Sequence, residues 1–149
     1  MTDDPRSVHL EALKKDFSDY IKDEMVFNQS AFPDGMDELL VVLVDNRLTL
    51  GFPQSVDVSQ VSLNFQSSMS TRVPELKQLM YDKEYGTWLS FQLFFDEKGS
   101  HLFLFNYDEP VDGILTHYES VSFLNELRRF PRALSTVPEW WRNKLVDTQ

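Results

Sequence analysis

The sequence predicts an α+β domain in which a four-stranded antiparallel sheet carries helices packed mainly on one face. Two observations lead to this prediction. Four apolar segments form two pairs, each pair joined by a short polar turn, which favours antiparallel hairpins. Helical segments precede each hairpin and follow the second, and each has one apolar stripe that can cover a sheet. At 149 residues, the chain has the length of one domain, taken as residues 1–149.

The first predicted element is an amphipathic helix that runs to about Glu24. Asp4 is the predicted cap and Pro5 occupies the first helical position, where its missing N–H costs nothing. Apolar residues then recur at three-to-four spacing, at Leu10, Leu13, Phe17, Tyr20 and Ile21. Charged residues fill the opposite face, which is typical of a solvated surface.

The first hairpin follows an irregular stretch over residues 25–37. The valine-rich run ELLVVLVD, residues 38–45, is typical of a strand that is buried on both faces. Asn46 and Arg47 are the predicted turn into a second strand, LTLGF, which Pro53 ends. Residues 55–71 show no clear pattern and are left without an assignment.

A second helix and a second hairpin are predicted next. Pro74 begins the helix, Val73, Leu76, Leu79 and Met80 form its stripe, and Gly86 ends it. Two strands, residues 87–95 and 100–107, are joined by DEKG, in which Gly99 can adopt a positive φ. Alternation assigns Leu89, Phe91, Leu93 and Phe95 to one face, and Trp88, Ser90, Gln92 and Phe94 to the other.

Two short helices complete the predicted fold. Ser120 or Ser122 caps the first, which turns Phe123, Leu124, Leu127 and Phe130 inward, places Arg128 and Arg129 in its last turn and ends at Pro131. Thr136 and Glu139 have the spacing of a capping box, which begins the last helix at Trp140 and Trp141. Because successive helical positions diverge by about 100°, we do not expect both indole rings to be fully buried.

The composition limits the classes of partner. Twenty-four acidic and fourteen basic residues give a net charge of -10 and a pI near 4.6. Nucleic acid and anionic membranes would repel such a surface, so neither is a predicted partner. The chain has no cysteine, no secretory signal and no apolar run of membrane-spanning length. We therefore predict a cytoplasmic protein.

No motif in the sequence predicts a cofactor or a small-molecule substrate. His9, His101 and His117 lack the spacing of metal ligands, so no metal site is predicted. No GxSxG motif frames a serine nucleophile, and no glycine-rich loop is present to hold a phosphate. Asp96 and Glu97 lie in the predicted hairpin turn, where acidic residues are common for conformational reasons.

The segment FNYDEPVDG, residues 105–113, collects three acids, Asp108, Glu109 and Asp112. One interpretation is a small hydrolase that uses Asp108 or Asp112 as an acid or base, which requires an apolar pocket and a shifted pKa. The other is a negative surface that attracts a basic protein, with nearby aromatic side chains as anchors. The candidate anchors are Tyr107, Tyr118 and whichever of Trp140 and Trp141 is exposed, taken as Trp141.

The second half of the chain, residues 75–145, resembles the YezG-like family of bacterial toxin immunity proteins. Three motifs carry the resemblance: a helix that ends in GTW, a Tyr-Asp pair after a hairpin, and an FPR segment followed by PEW. The matching residues are Gly86, Thr87, Trp88 and Ser90; Tyr107 and Asp108; and Phe130, Pro131, Arg132, Pro138, Glu139 and Trp140.

The resemblance implies a small cytosolic protein without catalytic activity that binds one cognate toxin, one to one, and neutralises it. Such toxins are frequently nucleases, whose phosphate-binding sites are cationic, so an acidic domain can occupy one. The motif residues are expected to be structural: Trp88 in the core, Pro131 and Pro138 at helix boundaries, and Arg132 paired with a carboxylate such as Asp108. A regulatory binding module unrelated to toxins is the third alternative.

Overall fold

The computed structural model describes residues 5–110 and 118–146. Four strands form one antiparallel sheet in the order β2-β1-β3-β4. The strands are β1 (Glu38–Val44), β2 (Arg47–Gly51), β3 (Ser90–Phe95) and β4 (His101–Asn106). The helices are α1 (Pro5–Phe27), α2 (Leu63–Leu79), α3 (Ser120–Arg129) and α4 (Glu139–Val146). The α+β class and the four-stranded antiparallel sheet are therefore confirmed.

Helices cover the sheet from both sides, so the predicted placement mainly on one face is not confirmed. Residues of α1 and α2 pack with Leu39, Val41 and Leu43 of β1 in the larger hydrophobic core. Residues of α3 and α4 pack with Val42 and Val44 in a second, smaller core. Because successive strand residues point to opposite faces, β1 contributes to both cores. Its predicted burial on both faces is confirmed.

The first hairpin closes with a two-residue turn one position earlier than predicted. Val44 pairs with Arg47, and Asp45 and Asn46 between them have φ of 53° and 57°. A two-residue turn with positive φ at both positions matches the right-handed twist of paired strands, and Asp and Asn tolerate it best after glycine. The Asp-Asn pair at residues 45 and 46 is the sequence signal for this two-residue turn.

The second hairpin has the predicted turn, but its first strand begins later. A bend at Leu89 precedes β3, and this bend breaks the alternation of side chains. Trp88 packs with Phe91 in the larger core, whereas Leu89 lies in the second core. The predicted faces of Trp88 and Leu89 are thus wrong, because a period-two pattern holds only along a regular strand.

Helix α2 starts eleven residues before the predicted start at Pro74, within the stretch that had no assignment. Ser62 caps it by accepting a hydrogen bond from Phe65 N at 3.0 Å. A short 3₁₀ helix, Val58–Gln60, lies just before this cap. Pro74 sits inside α2 rather than at its first turn. The buried stripe of α2 continues past Pro74 at three-to-four spacing, with Phe65, Met69, Val73 and Leu76.

The helix boundaries differ in smaller ways from those predicted. Helix α1 continues to Phe27 instead of ending near Glu24, and the predicted cap Asp4 lies outside the described residues. Glu119, not Ser120 or Ser122, is the cap residue of α3, and its side chain makes no capping hydrogen bond. Within residues 5–110 and 118–146, each helix is too short or too polar to span a bilayer.

An ion pair in the interior joins the two helix layers. Lys77 of α2 lies 2.9 Å from Glu126 of α3, measured from Nζ to Oε2, and both side chains are almost fully buried. The Lys77 ammonium also donates to the carbonyl of Leu43 in β1. Glu126 Oε1 accepts from Asp45 N in the hairpin turn at 3.1 Å. Burial lowers the pKa of Lys77, and the carboxylate of Glu126 opposes this shift.

We expect Glu126→Gln to lower the free energy of unfolding by about 3 kcal/mol, because Lys77 would keep a buried charge without a counter-ion. The amide retains an oxygen for Asp45 N, so the substitution isolates the charge. Urea unfolding measures the effect.

The double variant Lys77→Met/Glu126→Gln is the matched control, because it removes both charges. We expect it to regain more than half of the lost stability. If the double variant loses at least as much stability as the summed losses of Lys77→Met and Glu126→Gln, a role for the unpaired charge is contradicted.

Candidate functional site

The acidic segment after β4 begins as a tightly hydrogen-bonded loop. Asn106 Oδ1 accepts from Asp108 N at 3.3 Å and from Glu109 N at 2.8 Å. Its Nδ2 donates to Glu109 O at 2.6 Å and to Ser90 Oγ at 3.0 Å. An asparagine that bonds to the backbone two and three residues ahead fixes a turn. Asp108 and Glu109 are thus held at a defined place at the end of β4.

Arg132 binds the same loop through two nitrogens of its guanidinium group. Its Nη2 lies 2.6 Å from Asp108 Oδ1, and its Nη1 donates to Tyr107 O at 3.1 Å. The Arg132 side chain is only 2% exposed, whereas that of Asp108 is 58% exposed. The expected pairing of Arg132 with a carboxylate such as Asp108 is confirmed. Asp108 therefore has an internal partner, which gives it a structural role.

The remaining donors of Arg132 bind the segment that leads into α4. Its Nε donates to Thr136 Oγ1 at 3.0 Å, and its Nη2 donates to Thr136 O. Thr136 Oγ1 in turn donates to Glu84 O at 3.1 Å. A planar guanidinium can satisfy several acceptors in fixed directions, which a lysine ammonium cannot do.

Gly86 lies directly against Arg132. Its φ is +77°, and a Cβ built at this position would lie 2.9 Å from Arg132 Cδ. Gly86 and Asp82 exchange backbone hydrogen bonds of 2.8 and 2.7 Å, which close a turn after α2. The glycine expected to end the helix instead closes this turn, and both its φ and the close approach of Arg132 require a residue without a side chain.

The two tryptophans have exchanged the roles predicted for them. Trp141, expected at the surface as a contact residue, is buried in the second core, with Nε1 donating to Phe123 O at 3.2 Å. The Arg132 guanidinium lies over its ring at 5.5 Å. Trp140 is partly exposed, and its Nε1 donates to Asp108 O at 2.6 Å. Trp141 is thus unavailable as an anchor because its side of α4 faces the sheet.

The other predicted contact residues are only partly brought together. Tyr107 lies in the same loop as Asp108, half-buried, and burial raises its pKa. Tyr118 instead lies against β2, at the opposite edge of the sheet from β4, with its hydroxyl 2.9 Å from Thr49 Oγ1. Asp112 lies outside the described residues. The loop therefore offers Glu109 as its freely exposed acid, with Tyr107 and Trp140 beside it.

The geometry of Asp108 differs from that of an acid–base catalyst. A carboxyl group that exchanges protons in catalysis needs an apolar, desolvated setting that shifts its pKa toward neutrality. Asp108 is exposed to solvent and paired with a guanidinium. Among the described residues, no three metal-ligating side chains form a cluster.

The three motifs that carry the family resemblance meet at Arg132. Gly86 of the first motif touches its side chain, Tyr107 and Asp108 of the second bind its guanidinium, and Trp140 of the third bonds to Asp108. Pro131 accepts a hydrogen bond from the hydroxyl of Tyr81. Trp88, Phe130 and Lys77 pack beside them, with the Lys77 Nζ 5.4 Å from each ring centre. We call this set the Arg132 cluster.

Two comparisons bear on the family of this chain. A scan against protein-family models gave no matching family, and a search of curated proteins gave no match. The resemblance to YezG-like immunity proteins therefore depends on the three sequence motifs alone.

Sequence reasoning missed two residues whose side chains support the Arg132 cluster. Asn106 was read only as part of a strand, although an Asn two residues before an Asp-Glu pair is a common signal for a side-chain-capped turn. Thr136 was read only as a helix cap, yet its hydroxyl links Arg132 to the turn before Gly86. The bond from Thr136 to Glu84 leaves no local sequence signal, because the two residues are 52 positions apart in the chain.

We expect Arg132→Lys to lower the free energy of unfolding by about 2 kcal/mol, because the ammonium leaves several acceptors in the interior without a donor. Chemical denaturation measures the loss. The matched control is Arg128→Lys on the exposed face of α3, which should change stability by no more than about 0.5 kcal/mol. Equal effects of the two substitutions would show that the planar guanidinium of Arg132 adds no stability beyond that of an exposed arginine.

Proposed function

We propose that this chain is an immunity protein of the YezG-like type, which binds one basic-surfaced toxin domain, one to one, and neutralises it by covering the active site. The observation that carries the proposal is the convergence of the three motifs on Arg132. Residues that are 54 positions apart in sequence, from Gly86 to Trp140, form one connected structural unit. Such a unit is what a shared family scaffold requires.

The charge of the chain supports the class of partner. A net charge of -10 attracts a cationic protein and raises the rate of encounter. A toxin that acts on a polyanion such as nucleic acid has a cationic active site. The acidic domain can therefore compete with that substrate for the same surface, in the cytoplasm where the toxin would act.

The geometry at Asp108 favours binding over the hydrolase alternative. Asp108 is held by Arg132 as part of the scaffold, and both Asp108 and Glu109 are exposed to solvent. Fewer of the toxin-contact residues proposed from the sequence therefore remain as candidates. Asp108, Tyr118 and Trp141 serve the fold, and Glu109, with Tyr107 and Trp140 beside it, remains a candidate contact.

We expect co-expression of this protein to restore growth to cells that produce the polypeptide encoded by the neighbouring gene, and the two purified proteins to form a 1:1 complex. The physical reason is occlusion of the toxin site by a stably bound acidic domain. Colony counts measure the rescue, and light scattering coupled to size exclusion measures the stoichiometry.

Arg132→Lys provides an internal control, because a destabilised scaffold should rescue less well at higher temperature while the exposed Arg128→Lys variant rescues fully. A stable complex without rescue would favour a regulatory binding module over an immunity protein. The absence of both rescue and complex would refute the proposal.

We expect the association rate with the same polypeptide to fall at least tenfold when ionic strength rises from about 0.05 to 0.5 M, since salt screens attraction between opposite charges. The dissociation rate should change much less. Stopped-flow fluorescence of the tryptophans measures both rates. An association rate that is independent of salt would contradict electrostatic attraction as the basis of recognition.

A further inference from the structure

The end of the molecule opposite the Arg132 cluster is built from three segments. They are the last turn of α1 at residues 25–27, the 3₁₀ helix Val58–Gln60 and the start of α2 at Ser62 and Leu63. We call this end the tip. All of its residues lie within the described ranges. Helix α1, with 23 residues, separates it from Pro5 by about 33 Å at 1.5 Å per residue.

Hydrogen bonds between the segments fix the shape of the tip. Asn28 Nδ2 donates to Gln60 O at 3.0 Å, and Ser62 Oγ donates to Glu24 Oε1 at 3.1 Å. Asp57 N donates to Ala31 O at 2.8 Å. At the other end, Arg6 bonds to the carbonyls of Leu79 and Tyr81. The tip is therefore an ordered surface rather than a loose end of two helices.

The tip exposes large apolar side chains to an unusual degree. Phe27 is 84% exposed, Leu63 81%, Val26 66% and Val58 60%. Isolated exposed apolar residues are ordinary, but four on one hydrogen-bonded end of a domain are typical of a contact surface. Beside Val58, an open pocket of about 300 Å³ lies between β2 and α2. It is lined mainly by apolar side chains, including Leu48, Leu50 and Phe52.

Carboxylates surround these apolar side chains. The segments that form and border the tip, residues 22–37, 54–66 and 96–99, contain seven acids and two lysines, a net charge of -5. Asp23, Asp34 and Asp57 are exposed. In contrast, residues 118–146, which hold α3 and α4 near the Arg132 cluster, contain three acids and five bases, a net charge of +2. The segments at the tip are thus more attractive to a cationic partner than those near the Arg132 cluster.

We propose that the tip is the docking surface for the basic toxin domain, an inference that rests on the proposed function. Phe27 and Leu63 contact an apolar patch at the centre of the partner surface, and the carboxylates of the tip face lysines and arginines around that patch. An apolar centre inside a charged rim is the usual arrangement of a protein–protein interface. The interface is thereby moved from the acidic loop at Asp108 to the other end of the molecule.

The charge of the tip also argues against a second copy of this chain as the occupant. Two tips brought together would place acids against acids around the apolar centre, and such contacts are unfavourable. A cationic partner relieves this repulsion. The same apolar side chains therefore select a basic protein over self-association.

The test is the affinity of Phe27→Ser/Leu63→Ser for the polypeptide encoded by the neighbouring gene, measured by calorimetry. We expect the dissociation constant to rise at least 30-fold, since anchors at the centre of an interface carry most of its binding energy. The matched control is Val121→Ser/Leu134→Ser, which replaces two other exposed apolar residues, 45% and 72% accessible, outside the tip. This control should bind as the wild type does.

A second pair of variants tests the charged rim. Asp23→Lys/Asp34→Lys should slow association at least tenfold at low salt, whereas Glu84→Lys, in the exposed turn before Gly86 at the far end, should slow it less than threefold. Because all these positions are exposed, thermal unfolding should be unchanged in every variant.

The outcomes separate the two proposals. If the wild type binds and rescues while Phe27→Ser/Leu63→Ser binds equally well, the tip is not the interface and the immunity function stands. If the wild type neither binds nor rescues, both proposals fail. A wild-type dimer that the tip variant converts to a monomer would also overturn the inference, because the occupant would then be a second copy.

Discussion

Lys77 extends from α2, on one side of the sheet, and meets Glu126 of α3, on the other, beside the end of β1. Removing two charges from water costs several kcal/mol for each ion, and the cost is offset only when every hydrogen-bonding group finds a partner. Here the ammonium meets a carboxylate, a backbone carbonyl and two aromatic rings. The carboxylate meets the hairpin turn of Asp45. The two cores on either side of β1 are thus aligned by one contact.

The Arg132 cluster depends on this alignment. Lys77 stands over the ring of Phe130, and Arg132 follows Phe130 two residues later in the chain. Arg132 then holds the carbonyl of Tyr107, the carboxylate of Asp108 and the segment before α4. Each cation replaces hydration with fixed acceptors from several segments, so the end of the sheet, the acidic loop and α4 are positioned together.

The sequence predicted the fold class and most elements because hydrophobic periodicity is a local signal. The four strands, α1, α3 and α4 were found in this way. Helix α2 was found only in part, since Pro74 looked like a start and the polar residues around Phe65 and Met69 hid the stripe. The side of the sheet that each helix covers was not predictable. It depends on how the chain crosses the sheet and on the Lys77–Glu126 contact, 49 residues apart in sequence, for which no short-range pattern exists.

The site was predicted unevenly for the same reason. The pairing of Arg132 with Asp108 was anticipated, but the choice between Trp140 and Trp141 was wrong, because a helix of two turns shows too few apolar positions to reveal its buried side. The apolar surface of the tip was not predicted from the sequence. Phe27 and Leu63 stand at helix ends, 36 residues apart, and only the hydrogen bonds of Asn28 and Ser62 bring those ends together.

The exposure of Phe27 and Leu63 has an evolutionary consequence. Side chains that make few internal contacts can be exchanged with little effect on stability, whereas Gly86 and Arg132 are each constrained by neighbours on several segments. Substitutions therefore cost little stability at the tip and much more at the Arg132 cluster. The surface of the tip can therefore change by mutation without first requiring a reserve of folding energy.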